Sequence, residues 1–403
     1  MHVLIAGGGI GGLTAALSLL RRGIDVTVFE QAEALGEVGA GVQIAADGTR
    51  LLIDLGLQDA LEEVVCEAER KEVRLWNSGQ KWPLFDLGQD SRERFGAPYW
   101  FVHRGDLHRI LTDAVRALKP DAIRLGHHCL GFYQDEDKIA LTVRDGAVFR
   151  GEVLIAADGV HSKLRSQAFG HAGARYVGII AWRGLIPIES LPKELQRPVG
   201  TNWVGPGGHV ITYPLRRGAI MNFAGFAERS DWREESWSTR GAIEECARDF
   251  EGWHPLVHAM IAAIEAPYKW ALVGRDPMQT WIKGRFALLG DACHPTLPFL
   301  AHGAIMAIED GVVLARCLER QPSDPQAALQ AYQRLRIGRT SDIVNGSAEN
   351  AKRFHNPVLR DATAAPLYIE KEWAPENVRM RYDWLFEYDA NHVPLEEAAA
   401  AWT

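Results

Sequence analysis

The apolar pattern opens with a short uninterrupted run, residues 3–6, that stops at a cluster of glycines. A run of this kind predicts a strand buried on both faces, as in a parallel sheet. Apolar positions over 13–22 then predict a helix, and 25–30, after Gly23, a second strand, which together make a βαβ opening. A Gly/Ala-rich loop, EVGAGVQIAADG, leads to a helix-like stretch at 49–57, a strand-like segment at 71–84 and a polar, turn-rich insertion at 88–98. A further helix begins at about Asp106. Alternation over 122–143 predicts sheet, and EVLIAADGVHSKLR returns to a buried strand, a turn and a helix start.

From about 176 to 273 the pattern changes character. Alternating runs such as HVITYPL and AIMNFAGF, set among tryptophans and Pro/Gly turns, predict a largely antiparallel sheet plus a helix near 243–265. FALLGDA resumes the parallel-sheet style, and 304–319 reads as a helix. The chain is therefore α/β, with a Rossmann-like domain (1–72, 104–172 and 276–345) interrupted by a second domain with a mainly antiparallel β-sheet (73–103 and 173–275). Residues 346–403 form a C-terminal helical and aromatic segment with an Ala-rich tail. A length of 403 residues fits two domains at about 150 residues each.

Composition narrows the function classes. A formal charge of −8 leaves no basic footprint for nucleic acid, so none is expected as a partner. The five cysteines are far apart and never form CxxC, which argues against disulfides and a zinc knuckle and fits a reducing cytoplasm. MHVLIAGGGIGG lacks a basic leader and breaks into glycines, and no apolar run approaches 18 residues, so neither a signal peptide nor a membrane span is expected.

The glycine turn carries the first chemistry. Gly7, Gly9 and Gly12 form GxGxxG directly after a strand and at the mouth of a helix, and Glu30 ends the next strand 18 residues beyond Gly12. In a dinucleotide site Gly7 permits the tight turn, Gly9 lets the backbone approach pyrophosphate, Gly12 allows close helix packing and Glu30 accepts ribose hydroxyls. Gly11 and Gln31 belong to the same candidate site. Two later stretches, AADGVHSKLR and LLGDACHP, also follow apolar strands and would reach the same sheet edge.

GGGIGG with Glu30, ADGVHSKLR (157–165) and GDACHPTLPFLAHGAIMAIED (290–310) together resemble the three fingerprints of the class A flavoprotein aromatic hydroxylases, over about 340 residues. GEVGAGVQI, HRGDLH, WVGPGGHVITYPLR and DWLFEYD are similar to the branch containing salicylate hydroxylase, 3-hydroxybenzoate 6-hydroxylase and 6-hydroxynicotinate 3-monooxygenase. The resemblance implies an FAD-binding α/β domain interrupted by a substrate domain. It also implies that NADH or NADPH reduces FAD and that O₂ forms a flavin C4a-hydroperoxide, which hydroxylates a small hydroxylated aromatic or pyridine carboxylate. Hydroxylation that retains the carboxylate and decarboxylative hydroxylation are both open.

Residue by residue, the resemblance places Arg104 at the FAD phosphates, Asp158 beside FAD and the incoming nicotinamide, and Asp291 on the ribityl chain. Residues 298–305 would face the isoalloxazine ring, with backbone NH groups near Gly303, Ala304 and Ile305 stabilising charge. His209 is the candidate general base, and Tyr213, four residues on along an alternating strand, shares its face. Tyr213, His302, Gln43 and the loop position Pro298 are candidates for substrate contact, Gln43 also for the cofactor. At Pro298 the 3-hydroxybenzoate type carries glutamine, which weakens that assignment. Glu37 and Gly39 stand where the 4-hydroxybenzoate type carries two arginines, so its gating contacts do not transfer. The alternatives are a non-hydroxylating flavoprotein oxidoreductase or halogenase of the same fold, the latter disfavoured by the lack of a lysine-bearing motif, or an FAD-binding regulatory protein.

The remaining candidates read as structural. No metal is expected at His127, His128 and Cys129, whose neighbours alternate on a strand, or at His254 and His258, a helical pair without a third ligand. Cys293 lacks a nucleophile elbow and, with His294, reads as packing. Residues 234–245 read as a solvated helical face. Arg334, Arg336 and Arg339 read as ion-pairing residues or as the contact of a homodimer.

Overall fold

The computed structural model describes residues 1–36, 40–170, 173, 175–231 and 239–395. The opening strand His2–Ala6 lies between two parallel neighbours, Asp25–Phe29 and Val153–Ala156, with Val3 opposite both Val26 and Val153. Phe286–Leu288 adds to the far side of Val153–Ala156, again in parallel. Val3, Leu4, Ile5, Val153, Leu154 and Ile155 are all fully buried, as strands covered on both faces must be. Ile123–Arg124 and the antiparallel Ile282–Lys283 close the edges of this six-stranded sheet.

The helices Ile10–Leu20 and Gly303–Arg320 cross closely because Gly311 has no side chain. A Cβ there would lie 2.7 Å from the Ala15 nitrogen. Thus the first and third fingerprints are held against each other by one helix–helix contact.

The inserted sheet has seven strands among the described residues, in the spatial order Tyr268–Gly274, Arg175–Pro187, Ile220–Glu228, Gly208–Leu215, Val199–Gly205, Arg70–Leu75 and Lys81–Asp86. All pairs are antiparallel except Val199–Gly205 with Arg70–Leu75. One face, with Trp182, Trp203, Val210 and Phe223, packs under two helices through Phe250, Val257 and Met260. The opposite face, with Ile211, Tyr213 and Phe226, belongs to the core shared with the parallel sheet. Period-two alternation along each strand separates these two sets.

Several boundaries differ from the sequence pattern. The segment at 71–84 is a hairpin of two strands, and the insertion at 88–98 contains the helix Gln89–Phe95, ended by Gly96 at φ 74°. The single helix expected at 243–265 is two, Ile243–Asp249 and Pro255–Ala262, because Pro255 has no N–H to continue a helix and instead starts one. His254 is the cap of the second helix, its Nδ1 accepting the Leu256 N–H at 3.2 Å, so it does not share a helical face with His258. Trp100–His103 pairs with Gly41–Ile44 and Cys66–Glu67 in a three-stranded sheet. Glu245 pairs with Arg229 at 2.8 Å and Lys269 at 2.7 Å, which corrects the solvated reading at that position, while 234–238 lie outside the described residues.

Downstream, Pro325–Phe354 is one 30-residue helix, started by Asp324, whose side chain accepts the Ala327 N–H. The helices Ala364–Glu372 and Pro375–Phe386 follow, and the Ala-rich tail lies outside the described residues. No described helix is long and apolar enough to cross a membrane.

Candidate active site

Three loops meet at the C-terminal ends of the adjacent parallel strands His2–Ala6, Val153–Ala156 and Phe286–Leu288. In the first, Gly7 adopts φ 109°, and a Cβ there would lie 2.3 Å from the Ala157 oxygen. A Cβ on Gly12 would meet the Gly7 oxygen at 2.0 Å, and one on Gly11 the Leu289 side chain at 2.7 Å. Gly9, the N-cap of Ile10–Leu20, would meet nothing within 4 Å. Gly7 and Gly12, which face backbone, are therefore required by the protein itself, Gly11 faces the end of a leucine side chain, and Gly9 leaves an open approach to a helix N-terminus suited to a pyrophosphate.

Glu30 directly follows the strand Asp25–Phe29 with both oxygens engaged by backbone, accepting from Gly8 N–H at 2.8 Å and Ala32 N–H at 2.9 Å, while Gln31 beside it is exposed. His108 Nε2 lies 2.7 Å from the Gly8 oxygen and holds this turn from the other side. His108 belongs to the HRGDLH run, but its partner could not be read from that run. Arg104 is the first residue of the helix Arg104–Leu118 and is half-buried, and its N–H donates to the Ala40 oxygen at 2.7 Å.

Asp158 follows its strand with Oδ1 buried and unpartnered, and burial raises its carboxyl pKa. Arg165 joins the second loop to the third, donating to the Val160 and Ala292 oxygens at 3.0 Å each. In the third loop Asp291 is exposed and Cys293 is buried. Ala301 takes the left-handed conformation at φ 58°, and the chain turns at His302 into the helix Gly303–Arg320. Gly303, Ala304 and Ile305 are its first residues, and N–H groups in that position have no partner within the helix. The glycine cradle, the orphaned Asp158 oxygen and this helix start fit FAD.

A chain of buried ions runs behind the third loop. His302 Nε2 lies 3.3 Å from Asp47, whose same oxygen meets Arg339 at 3.0 Å. Arg339 meets Glu309 at 2.7 Å, Glu309 meets Arg336 at 2.6 Å, Arg336 meets Asp310 at 2.8 Å, and Asp310 meets His294 at 2.6 Å. Burial alone would raise the Asp47 carboxyl, but the His302 and Arg339 charges hold it below the ordinary range. Burial likewise opposes charge on His294, yet Cys293 and Asp310 lift its pKa well above the usual value. His294 is thus an ion-chain member rather than packing. Cys293, His294 and Asp310 have ligand atoms within 4.8 Å of one another, but both Asp310 oxygens already serve Arg336, His294 and the Gly290 N–H. The other His302 nitrogen, Nδ1, faces the Leu300 oxygen at 2.8 Å.

The inward face of the inserted sheet carries the remaining candidates. His209 and Tyr213 share that face as alternation requires, with Ile211 between them. His209 is fully buried and stacks on Phe226, with Phe299 edge-on at 5.0 Å. Burial and the neighbouring His355 drive its pKa well below the usual value. Nδ1 lies 2.6 Å from His355 Nε2, and Nε2 has no hydrogen-bond partner among the described residues. Burial pushes the Tyr213 hydroxyl up, which keeps it a donor at neutral pH. Pro298 is exposed, and the loop residue that meets His209 is its neighbour Phe299. Gln43 accepts from Tyr99 at 2.8 Å, and Gly41 donates to Asn222 at 2.9 Å, tying the Gly/Ala-rich loop to the sheet. Glu37 and Gly39 of that loop lie outside the described residues.

Sequence reasoning missed Lys71. It lies on the strand Arg70–Leu75 opposite Gly200, one residue before Thr201, which pairs with Thr212, and its stem packs where a Gly200 side chain would stand. Its ammonium sits 5.3 Å from the Tyr99 ring centroid and has no anionic partner among the described residues. Burial brings its pKa down to about 7.

The family model described as "FAD binding domain" matches residues 1–347. The chain is 39% identical over 398 residues to a 3-amino-4-hydroxybenzoate 2-monooxygenase of Streptomyces platensis, covering 97% of each chain. It is 34% identical over 394 residues to the 3-hydroxybenzoate 6-hydroxylase of Polaromonas naphthalenivorans, again covering 97% of both. A crystal structure of Klebsiella pneumoniae HpxO with FAD and uric acid superimposes with a TM-score of 0.81 at 30% identity, covering 94% of this chain and 96% of that one.

Proposed function

The chain belongs to the FAD binding domain family, and from that premise we propose that it hydroxylates a benzoate-type carboxylate bearing a ring hydroxyl or amino group, using NADH or NADPH and O₂. It is an FAD-dependent aromatic monooxygenase. Bound FAD supplies O₂ activation and the electrophilic oxygen. The turn of Gly7, Gly9, Gly11 and Gly12 with Glu30 and Arg104 would hold the cofactor's phosphates and ribose, Asp158 and Asp291 would bind along it, and the N–H groups of Gly303, Ala304 and Ile305 would stabilise charge on its ring.

The protein's own share of the chemistry is to position the substrate and to take a proton. The observation that carries this reading is the buried Nε2 of His209, without a hydrogen-bond partner among the described residues, on the face shared with Tyr213. A ring attacked by electrophilic oxygen becomes more nucleophilic as its hydroxyl group loses a proton, whereas a ring amino group already donates its lone pair in the neutral form. A neutral imidazole nitrogen in apolar surroundings is the acceptor for the hydroxyl proton. Tyr213 donates to the substrate, and Lys71 pairs with the carboxylate. His302, with both nitrogens directed at Leu300 and Asp47, supports the flavin loop from behind.

The test is a panel of 3-amino-4-hydroxybenzoate, 3-hydroxybenzoate, 4-hydroxybenzoate, salicylate and 6-hydroxynicotinate, each with NADH and with NADPH. Cofactor oxidation, product mass and released CO₂ are followed together. At least one carboxylate should accelerate flavin reduction and yield a product 16 mass units heavier, or 28 lighter if CO₂ leaves, and His209→Ala should lower that turnover by on the order of 10²–10⁴-fold. Failure of every member to accelerate reduction overturns the hydroxylase reading, and a fully active His209→Ala overturns the base.

A further inference from the structure

His209 does not end in the core. Its Nδ1 lies 2.6 Å from His355 Nε2, and His355 Nδ1 lies 3.0 Å from Glu228 Oε1. His355 is the C-cap of the long helix Pro325–Phe354 and is buried, with its carbonyl accepting the Gly207 N–H of the hairpin before His209. Glu228 ends the strand Ile220–Glu228 with its side chain 56% exposed. A line of hydrogen bonds therefore leads from the buried face of the sheet to solvent through residues drawn from three elements.

The order of protons along this line follows from the acceptor at its outer end. An ionised carboxylate can only accept, and the hydrogen bond from His355 holds Glu228 below its ordinary pKa range. His355 must then carry its proton on Nδ1. When His355 carries that one proton alone, its Nε2 presents a lone pair and the 2.6 Å contact has His209 donating from Nδ1, whereas a second proton on His355 would reverse the direction. The singly protonated His355 leaves Nε2 of His209 bare, and this is the nitrogen with no hydrogen-bond partner among the described residues.

We propose that Glu228 and His355 are positioning residues that fix His209 in the tautomer with a bare Nε2 and form the path by which the substrate's proton reaches solvent. The proposal rests on the reading of His209 as the base. In the forward step the substrate's phenolic O–H bond breaks and a bond to His209 Nε2 forms. The Nδ1 proton of His209 passes to His355 Nε2, and the Nδ1 proton of His355 passes to the Glu228 carboxylate and on to water. Four bonds to hydrogen break and four form, the last at water, so one proton is delivered outside. Reverse transfer, when the product regains its proton, restores both tautomers. Neither residue touches the substrate, so each acts through His209.

The test uses the FAD-loaded full chain labelled with ¹⁵N-histidine at pH 7, with the His209 signals assigned by difference against His209→Gln. In the wild type His209 should show a protonated Nδ1 and a bare Nε2. In Glu228→Ala, an exposed site where folding is undisturbed, the two nitrogens should move toward a mixture of tautomers. In His355→Phe the fixed tautomer should be lost altogether. A protonated Nε2 in the wild type overturns the proposal, as does a His209 spectrum unchanged in Glu228→Ala. A second arm follows turnover of 3-amino-4-hydroxybenzoate and 3-hydroxybenzoate. Glu228→Ala should lower kcat about tenfold while leaving KM within twofold. If His209→Ala abolishes turnover but Glu228→Ala and His355→Phe do not slow it, the relay fails and the base stands. If His209→Ala is fully active, the base reading fails whatever the tautomer.

Discussion

Arg336 and Asp310 meet at 2.8 Å with neither side chain exposed to solvent, joining the long helix Pro325–Phe354 to the helix Gly303–Arg320. Arg336 also meets Glu309 at 2.6 Å and Tyr388 at 3.1 Å. Arg336→Met would leave two buried carboxylates short of a cation, which costs about 3–5 kcal/mol when one partner of a buried pair is removed. Lysine would not restore it, because a point charge cannot replace the fork that spans Glu309 and Asp310. Urea unfolding of both variants checks this, and a loss below about 1 kcal/mol would refute it. Burial would raise the Asp310 carboxyl, but His294 and Arg336 bring it down to about 2 from 3.8. Its folded pKa is thus depressed, so its contribution is complete above about pH 4 and drains away as pH falls toward 2.

The glycine turn makes a prediction in two halves. Gly9→Ala introduces a Cβ that meets no protein atom within 4 Å, at a residue with φ −75°, so the apoprotein should melt within about 1 °C of the wild type. The same methyl group occupies the approach that a pyrophosphate needs, and FAD affinity should fall at least about tenfold. Gly7→Ala must instead destabilise the apoprotein, because φ 109° and a 2.3 Å approach to the Ala157 oxygen both oppose a side chain. Differential scanning fluorimetry with and without FAD separates the two. Equal FAD binding by Gly9→Ala and the wild type would remove that glycine from the cofactor site.

These cases show why one part of the site was legible in the sequence and another was not. Gly7, Gly12 and Glu30 act through backbone geometry within one βαβ unit, so their spacing carries the information. The interrupted sheet was legible for a similar reason, since period-two alternation over 208–215 is local. The partnership of His209 with His355 spans 146 residues and leaves no periodic trace. Lys71 was invisible because its isolation depends on Gly200 and Tyr99, which only the folded sheet brings to it. The break at Pro255 was visible, since proline cannot continue a helix, but the apolar period on both sides outweighed it.

The C-terminal aromatic run packs within the chain. Phe386 meets Phe85, Phe95, Tyr99 and Tyr382 and lies parallel to the His302 ring at 6.1 Å, while Arg50 donates to the Phe386 and Tyr388 carbonyls at 2.9 and 2.8 Å. Phe386→Ala should therefore cost about 3–5 kcal/mol in urea unfolding. On the proposed placement of the flavin at the start of the helix Gly303–Arg320, which His302 caps, it should also weaken FAD binding. Wild-type stability in this variant would place the run outside the folded core.

Lys71 gives the pH dependence. Burial lowers its pKa from 10.5 to about 7, so the folded protein resists protonating it. The cost of holding the cation is present in full below about pH 7 and disappears as pH rises toward 10.5. Lys71→Met should accordingly stabilise the ligand-free protein more at pH 6 than at pH 9. A bound carboxylate reverses the balance by favouring the ammonium form, so binding of 3-amino-4-hydroxybenzoate should weaken as pH rises above about 7. In Lys71→Met the affinity at pH 6.5 should fall about tenfold, the scale of a hydrogen bond to a charged group. The decline above pH 7 should flatten with it. Titration of flavin fluorescence across pH 6–9 measures both quantities. A variant that keeps the wild-type affinity together with its pH slope would show that the carboxylate is held elsewhere.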